Sequence, residues 1–298
     1  MIYRRQRLLL GLIDFLISIK SLDRLTLVKS MFLISKEIPL KFAHYHFHPY
    51  KFGPFSAKLY QDLAILEKLK LITSNQFEKN LFQSMTTNPN KKSSIQLTKS
   101  GKMEIYFPLE IKTFIKNVLE KYSSLEQLID YIYREYPEYT CISERRNIPK
   151  PFERGKEPGF FLIGYEGKDI DEFLKELIIN NIEILVDIRA SPRSMKFDFS
   201  GPRIKNFIEK FGIYYIHIPE LGIKNEDRKD LKTKNDYEIL FLNYRKELMN
   251  KGDYLEKVIN LGKRKRIALM CFERDPNYCH RGQIGEVLKE RNFQVISI

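Results

Sequence analysis

Two cysteines, a glutamate, a histidine and two arginines crowd into IALMCFERDPNYCHRG, the stretch from Ile267 to Gly282. The apolar Ile267 to Met270 reads as a buried strand, so Cys271 stands at a strand end. The loop after it runs into a helix that opens at Cys279-His280-Arg281-Gly282. The first turn of a helix leaves backbone N–H groups unpaired, and its dipole favours negative charge. With His280 and Arg281 close by, the same field draws a thiol toward the thiolate. Cys271 is therefore a candidate nucleophile, with Glu273 and His280 as acid, base or metal-handling groups. Arg281, with Cys279 next to it, is a candidate for holding a phosphate or carboxylate through two parallel hydrogen bonds. A second reading stands beside this one: Cys271 follows Ala268, Leu269 and Met270, and free cysteine is often a small, inert core residue. Because Cys279 and His280 are neighbours in the chain, geometry argues against both holding one metal, and no metal is assigned. A Cys271–Cys279 disulfide is available as an oxidised state, although cytosolic thiols are normally kept reduced.

These residues need a scaffold, and the pattern from about residue 159 onward supplies one. Short apolar runs at Phe160–Ile163, Ile184–Ile188, Ile213–Ile218, Ile267–Met270 and Gln294–Ile298 have strand length and β-branched content. Between them lie amphipathic helices, clearest at Ile204, Phe207, Ile208 and Phe211 and at Ile284, Val287 and Leu288. Alternating strands and helices predict a three-layer α/β domain with a mostly parallel sheet. In such sheets functional groups gather beyond the carboxyl ends of the strands. Those positions add Tyr165 and Glu166, Asp187, Arg189 and Arg193, and His217 with Glu220. Asp187 is a further acid or base candidate. Tyr165, Glu166, Arg189 and Arg193 are candidates for the substrate or anion site. Asp187 and Arg189 read equally as a buried pair that orders its loop.

The preceding segment differs. Leu8, Leu12, Phe15 and Ile19 share a helical face, as do Leu59, Leu63, Leu66 and Leu69, and Leu125, Leu128, Ile129 and Ile132. Arg4-Arg5-Gln6-Arg7 before Leu8–Ile19 imitates a secretory signal, but Asp14 interrupts the run and no cleavage site follows, so it reads as a first helix. A second helix at about 24–35, an aromatic loop, a third helix at 56–70, then two short strands around the polar loop Thr86–Ser94, predict a mainly α, winged-helix-like domain. Lys58, Lys68 and Lys70 on the third helix, with Lys91 and Lys92 in the wing, are candidate phosphate contacts. His44, His46 and His48 alternate with aromatics and could share one side of an extended segment, but no nearby ligand completes a metal set, so they read as surface histidines.

The chain has 298 residues, with 51 Lys+Arg against 38 Asp+Glu for a net charge of +13. Residues 1–150 carry 24 of the bases and 14 of the acids, so most of the excess lies there and suits an acidic partner or simply a solvated basic surface. Three irregularly spaced cysteines make no disulfide framework and fit a reducing cytoplasm. No apolar run is long enough to span a membrane. Ser143 to Pro158, SERRNIPKPFERGKEP, has the composition of an exposed connection. The division is then 1–145 for the helical domain, 146–158 for a linker and 159–298 for the α/β domain.

Two resemblances follow from particular motifs. Tyr50-Lys51-Phe52-Gly53-Pro54-Phe55-Ser56 with Leu59-Tyr60 and Asp62-Leu63, and Leu125 to Thr140 ending in Tyr136-Pro137-Glu138-Tyr139, resemble the Panacea (SocA-like, phage-associated) antitoxin family over about residues 5–145. That resemblance implies a helical, partly winged domain that neutralises partner toxins, sometimes with DNA contact, and no catalysis. Ile163-Gly164-Tyr165-Glu166, Leu185-Val186-Asp187-Ile188-Arg189 with Ser191-Pro192, Leu221-Gly222, and Met270-Cys271-Phe272-Glu273 through Pro276 to Cys279-His280-Arg281 resemble the family called domain of unknown function 488, from about residue 160 to Ile298. Ile223 departs from the second glycine expected after Leu221-Gly222. This second resemblance implies an α/β fold with a shared polar site. Val186–Arg189 with a later strand-end cysteine also resembles the rhodanese-like layout by analogy, with a longer loop after Cys271.

Two functional readings result. In the first, a toxin-antitoxin or phage-defence protein binds DNA or a cognate toxin through its basic domain, and its α/β domain acts on an anionic small molecule, nucleotide or nucleic acid. In the second, a non-catalytic DNA-binding regulator senses a small anion at the Cys-His-Arg helix start. Neither a cofactor nor an oligomeric state is specified by the sequence, and a membrane partner is not expected.

Overall fold

The computed structural model describes residues 2–19, 22, 24–39, 44–74, 95–122, 124–144, 154–228 and 233–298. The chain divides into two compact units, Met1–Glu153 and Arg154–Ile298. Lys91, Lys92, the Thr86–Ser94 loop and linker residues 146–153 lie outside the described residues.

The first unit is helix-rich. Helices α1 (Arg4–Ile19) and α2 (Arg24–Glu37) precede a hairpin of β1 (His48–Tyr50) and β2 (Gly53–Phe55). Helix α3 (Ala57–Lys68) follows, then β3 (Ile72–Ser74), which pairs antiparallel with β4 (Ile95–Leu97). Helices α4 (Lys99–Met103), α5 (Leu109–Lys121) and α6 (Leu125–Glu135) complete it. Three helix starts are chemically marked: Ser56, Thr98 and Ser124 each accept a backbone N–H of the first turn with their hydroxyls. The aromatic segment read as a loop is the β1–β2 hairpin, turned at Gly53 with φ of +86°. His48 is buried and packs its ring against Phe55 across that hairpin, whereas His46 is exposed. The three histidines therefore do not share a surface. Ile19 and Leu69, counted in the apolar faces, are exposed because they fall at or past the helix ends.

A polar network sits inside this unit. Asp62 on α3 is fully buried and accepts Arg5 Nε at 2.6 Å, Gln6 Nε2 at 2.8 Å and Tyr45 Oη at 2.9 Å. Burial and the neighbouring carboxylate push the Tyr45 hydroxyl well above its ordinary range.

The second unit is a five-stranded, all-parallel sheet. Its strands are β5 (Gly159–Gly164), β6 (Ile184–Asp187), β7 (Tyr214–His217), β8 (Arg266–Cys271) and β9 (Val295–Ser297), in the order β7-β6-β8-β5-β9. The crossovers carry helices α7 (Ile170–Ile179), α8 (Gly201–Ile208), α9 (Lys234–Asn250), α10 (Gly252–Gly262) and α11 (His280–Glu290). Phe160, Leu162, Ile184, Val186, Ile267 and Leu269 share one core with Phe241, Tyr244 and Leu248 of α9, Val258 of α10 and Ile284 and Leu288 of α11. Phe161, Ile163, Leu185, Ala268 and Met270 alternate with them and are equally buried on the other face. Right-handed crossovers explain the division: from β5 the chain steps one way through β6 to β7, then returns the other way through β8 to β9. The central strand β8 thus lies between β6 and β5, whose connections leave on the opposite face from its own. Its carboxyl end opens on the switch point of the sheet, and that end is Cys271.

Among the described residues, no helix is long and apolar enough to cross a membrane. Asp62→Ala strands the buried Tyr45 hydroxyl and Gln6 amide and uncouples Arg5, so full-length protein is expected to lose about 3 kcal/mol in denaturant unfolding. Asp62→Asn should lose less, and an unchanged midpoint for the alanine variant would contradict the role given to this network.

Candidate functional site

Cys271 ends β8, and the chain then folds back through a single 3-10 turn, Pro276–Tyr278, into α11. Asp275 caps that turn by accepting Asn277 N at 2.8 Å. Cys279 is in extended conformation at the N-cap of α11, and His280 is the first helical residue. This reversal brings both thiols to the same imidazole: Cys271 Sγ lies 3.7 Å and Cys279 Sγ 3.8 Å from His280 Nδ1. All three residues are about 1% exposed. The other ring nitrogen, Nε2, is 3.0 Å from the carbonyl oxygen of Ile188, which can only accept. Nε2 therefore carries the proton, and Nδ1 offers its lone pair to the sulfurs.

Glu273 and Arg228 cover this cluster. Cys271 Sγ is 3.2 Å from Glu273 Oε2, and Arg228 donates Nη1 to Glu273 Oε1 at 2.7 Å and Nη2 to His280 Nδ1 at 2.9 Å. Arg228 Nε is buried with no hydrogen-bond partner. Burial works against ionising Glu273, but the Arg228 charge outweighs it and the carboxyl titrates below its usual value. A hydrogen bond from the Cys279 thiol, with help from His280, pulls Cys271 down despite its burial. Burial and the neighbouring sulfur push Cys279 up. The pair thus shares its protons unequally, and Cys271 is the sulfur that ionises.

The loop is held by Arg281. Its guanidinium donates Nη1 to the Glu273 carbonyl at 2.5 Å and Nη2 to the Arg274 carbonyl at 2.8 Å, and the side chain is 1% exposed. Those donors are committed to backbone, so Arg281 shapes the site where the sequence suggested an anion clamp. Two glycines make the approach possible. A Cβ at Gly164 would stand 1.9 Å from the Glu273 carbonyl oxygen, and one at Gly282 would stand 2.1 Å from that of Pro276.

Asp187 and Arg189 form a second arrangement at the end of β6. Asp187 accepts Arg189 Nε at 2.8 Å and Nη2 at 2.6 Å, and also the Tyr215 hydroxyl at 2.6 Å. Arg189 Nη1 donates to Tyr165 Oη at 2.8 Å. Desolvation opposes the Arg189 cation, but the bidentate carboxylate more than compensates and its pKa is raised. The pair is buried at the start of the loop after β6. His217 adds to it through an Nε2 contact of 2.8 Å with the Arg189 carbonyl. Tyr165 stacks on Phe199 with ring centroids 4.4 Å apart. Glu166 accepts Arg274 N at 2.8 Å, and the Arg193 and Glu220 side chains are exposed.

The structure thus gathers Cys271, Glu273, Cys279 and His280 and assigns Asp187, Arg189 and Arg281 to internal bonds. In the first unit Lys68 and Lys70 are exposed, and Lys58 is half-buried at the start of α3. Sequence reasoning missed Arg228, which lies in the polar run KNEDRKD where no periodicity distinguishes one base from another. It also held Cys279 and His280 apart as ligands because they are adjacent. An extended residue followed by a helical one turns both side chains to one point.

The family described as Domain of unknown function DUF488 matches residues 169–288, within the second unit. No curated protein and no solved structure matches the chain.

Gly164→Ala forces the 271–280 loop away from β5, and a stability loss of about 1–3 kcal/mol is expected by urea unfolding. Gly252→Ala, where an added Cβ meets nothing within 4 Å, serves as the control and should stay within about 0.5 kcal/mol. Equal behaviour of the two variants would remove the close-approach argument.

Proposed function

We propose that the second unit is a thiol-centred catalytic module acting on an anionic substrate of the nucleotide or nucleic-acid class. The basic first unit, a winged-helix-like module, brings it to DNA or to a cognate toxin in a toxin-antitoxin or phage-defence setting. The observation that carries the catalytic reading is the meeting of Cys271, His280, Glu273 and Arg228 at the carboxyl end of the central strand. The arrangement has the logic of an activated nucleophile: a sulfur that ionises, a ring nitrogen beside it that can move a proton, and a backbone carbonyl orienting the ring. In the proposed step Arg228 swings from His280 Nδ1 to the substrate's negative group, and the ionised Cys271 sulfur bonds to the substrate's electrophilic centre. The bond to the leaving oxygen breaks and that oxygen takes a proton from solvent; water then attacks the sulfur-bound group, gives its proton to the vacated His280 Nδ1, which returns it to solvent, and the bond to sulfur breaks to release the product and restore the Cys271 thiolate. Arg228, whose Nε is uncommitted, faces the sulfurs as the cation for the substrate's negative group. The N-terminal dipole of α11 adds to that field.

The resemblance of residues 5–145 to the Panacea antitoxin family and the charge excess of the first half support the partner-binding role. The burial of both sulfurs favours a second reading, a ligand-sensing regulator in which the same cluster binds an anion without turnover.

Two measurements test this. Iodoacetate, an anion, should alkylate Cys271 in the native full-length chain ahead of Cys141 and Cys279. Its advantage over neutral iodoacetamide, relative to the same ratio for free cysteine, should be about tenfold and should vanish in Arg228→Gln, a factor worth about 1.4 kcal/mol. Peptide mass mapping reads the site, and labelling that shows no preference for the anion would remove the catalytic reading. For the first unit, affinity for duplex DNA should fall linearly on a logarithmic salt axis, with the slope reduced by about 1–2 in the Lys68→Ala, Lys70→Ala double variant. A salt-independent affinity would leave a protein partner as the target of this unit.

A further inference from the structure

We infer that Cys271, Cys279 and His280 form a binding site for a single soft divalent cation of the zinc class. Their three ligand atoms, two Sγ and one Nδ1, lie within 4.8 Å of one another. Zinc bonds of about 2.3 Å to sulfur and about 2.0–2.1 Å to imidazole nitrogen, at a tetrahedral angle, set a sulfur-to-nitrogen edge of about 3.6 Å. The observed edges are 3.7 Å and 3.8 Å, so the side chains already stand at close to ligand spacing. The outer contacts agree. His280 donates its other ring N–H to the Ile188 carbonyl, the bond that fixes the tautomer and aims the lone pair in histidine-ligated metal sites. Two thiolates and an imidazole are soft donors, which selects zinc over magnesium or calcium.

Three protein ligands leave a fourth position on the Glu273 side, where Oε2 is 3.2 Å from Cys271 Sγ. On binding, the protons still held by the two sulfurs pass to the buffer, two metal–sulfur bonds and one metal–nitrogen bond form, and two thiolates neutralise the dication. One group must move. Arg228 Nη2 occupies the His280 Nδ1 lone pair at 2.9 Å, and the guanidinium can withdraw while keeping its 2.7 Å bond to Glu273. Arg228 and the metal therefore compete for the same nitrogen. The regulatory consequence rests on the thiol reading above: a bound cation takes Cys271 out of reaction, so metal supply would set the active fraction. The binding itself does not need that reading.

The test uses the reduced full-length chain. Zinc should bind one per chain in competition with a chromophoric chelator, and cobalt(II) should give thiolate-to-metal charge-transfer absorption with tetrahedral d–d bands. Both signals should be lost in Cys271→Ser, Cys279→Ser and His280→Ala, and kept in Cys141→Ser. Arg228→Gln should bind at least as tightly as the native chain. Because the cobalt spectrum of the native protein reports ligand type directly, misfolding of a variant does not rescue the idea. Absence of charge-transfer bands, or bands that survive loss of either cysteine, overturns it. Iodoacetate separates the two proposals. Labelling of Cys271 without zinc binding defeats only the metal site, and zinc binding at an alkylation-inert Cys271 defeats only the thiol chemistry. If both hold, one equivalent of zinc should protect Cys271 from iodoacetate.

Discussion

A guanidinium buried inside an α/β domain needs acceptors for its donors, and the two terminal nitrogens of Arg281 find theirs in the carbonyls of Glu273 and Arg274, while its Nε has no partner. That bond shapes the 271–280 loop. It is one of the bonds that hold the reversal by which Cys271 and Cys279 face one imidazole. The bond has a spatial requirement met on the neighbouring strand: Gly164, paired with Cys271 in register, has no side chain where the Glu273 carbonyl comes in. The backbone of Tyr165 and Glu166 then donates to the Phe272 carbonyl and seals the loop against the end of β5. Arg281, a candidate anion-binding residue in the sequence, is bonded through both terminal nitrogens to the loop that carries the thiols.

The site's location follows from topology. Chain direction reverses across the sheet after β7, so the crossovers on either side of β8 lie on opposite faces, and its carboxyl end stands where open parallel sheets gather functional groups. The strand itself, Arg266–Cys271, is apolar after its first residue because it is covered on both sides. A polar residue inside it would be stranded, so chemistry can begin only at its last position. Cys271 is compatible with both roles, being small and apolar enough for the core and nucleophilic once ionised.

Much of this was legible, for physical reasons. Parallel strands buried on both faces read as continuous apolar runs, and all five expected runs coincide with strands to within one or two residues at each end. The first unit was less legible. Its β1–β2 hairpin is only three residues a side and built from His, Pro and Gly, which carry no alternation, and His48 is buried by its partner Phe55, a tertiary fact. The Cys–His–Glu cluster was legible as a collection of residues but not as a geometry. Adjacency of Cys279 and His280 argues for divergence in a continuous strand or helix, and the N-cap is the one place where it does not. Arg228 was invisible: its significance comes from where a turn of no distinctive composition lies above the sulfurs.

Three arginines lie about the carboxyl ends of β6 and β8, and their partners separate their roles. Arg189 meets a carboxylate in bidentate fashion with Tyr165 alongside, a satisfied pair in a dry setting that has little to gain from a ligand. Arg281 has spent its terminal donors on carbonyls and cannot leave them without opening the loop. Arg228 differs on both counts. It shares one carboxylate oxygen and one imidazole nitrogen, and its side chain is 29% exposed; an Nε without a partner is common to it and Arg281. A cation held by two replaceable bonds at the edge of a buried thiol pair is the group a negative ligand would draw outward or an incoming metal would displace. In the proposed function the arginine that changes partners is therefore the least securely bound of these three.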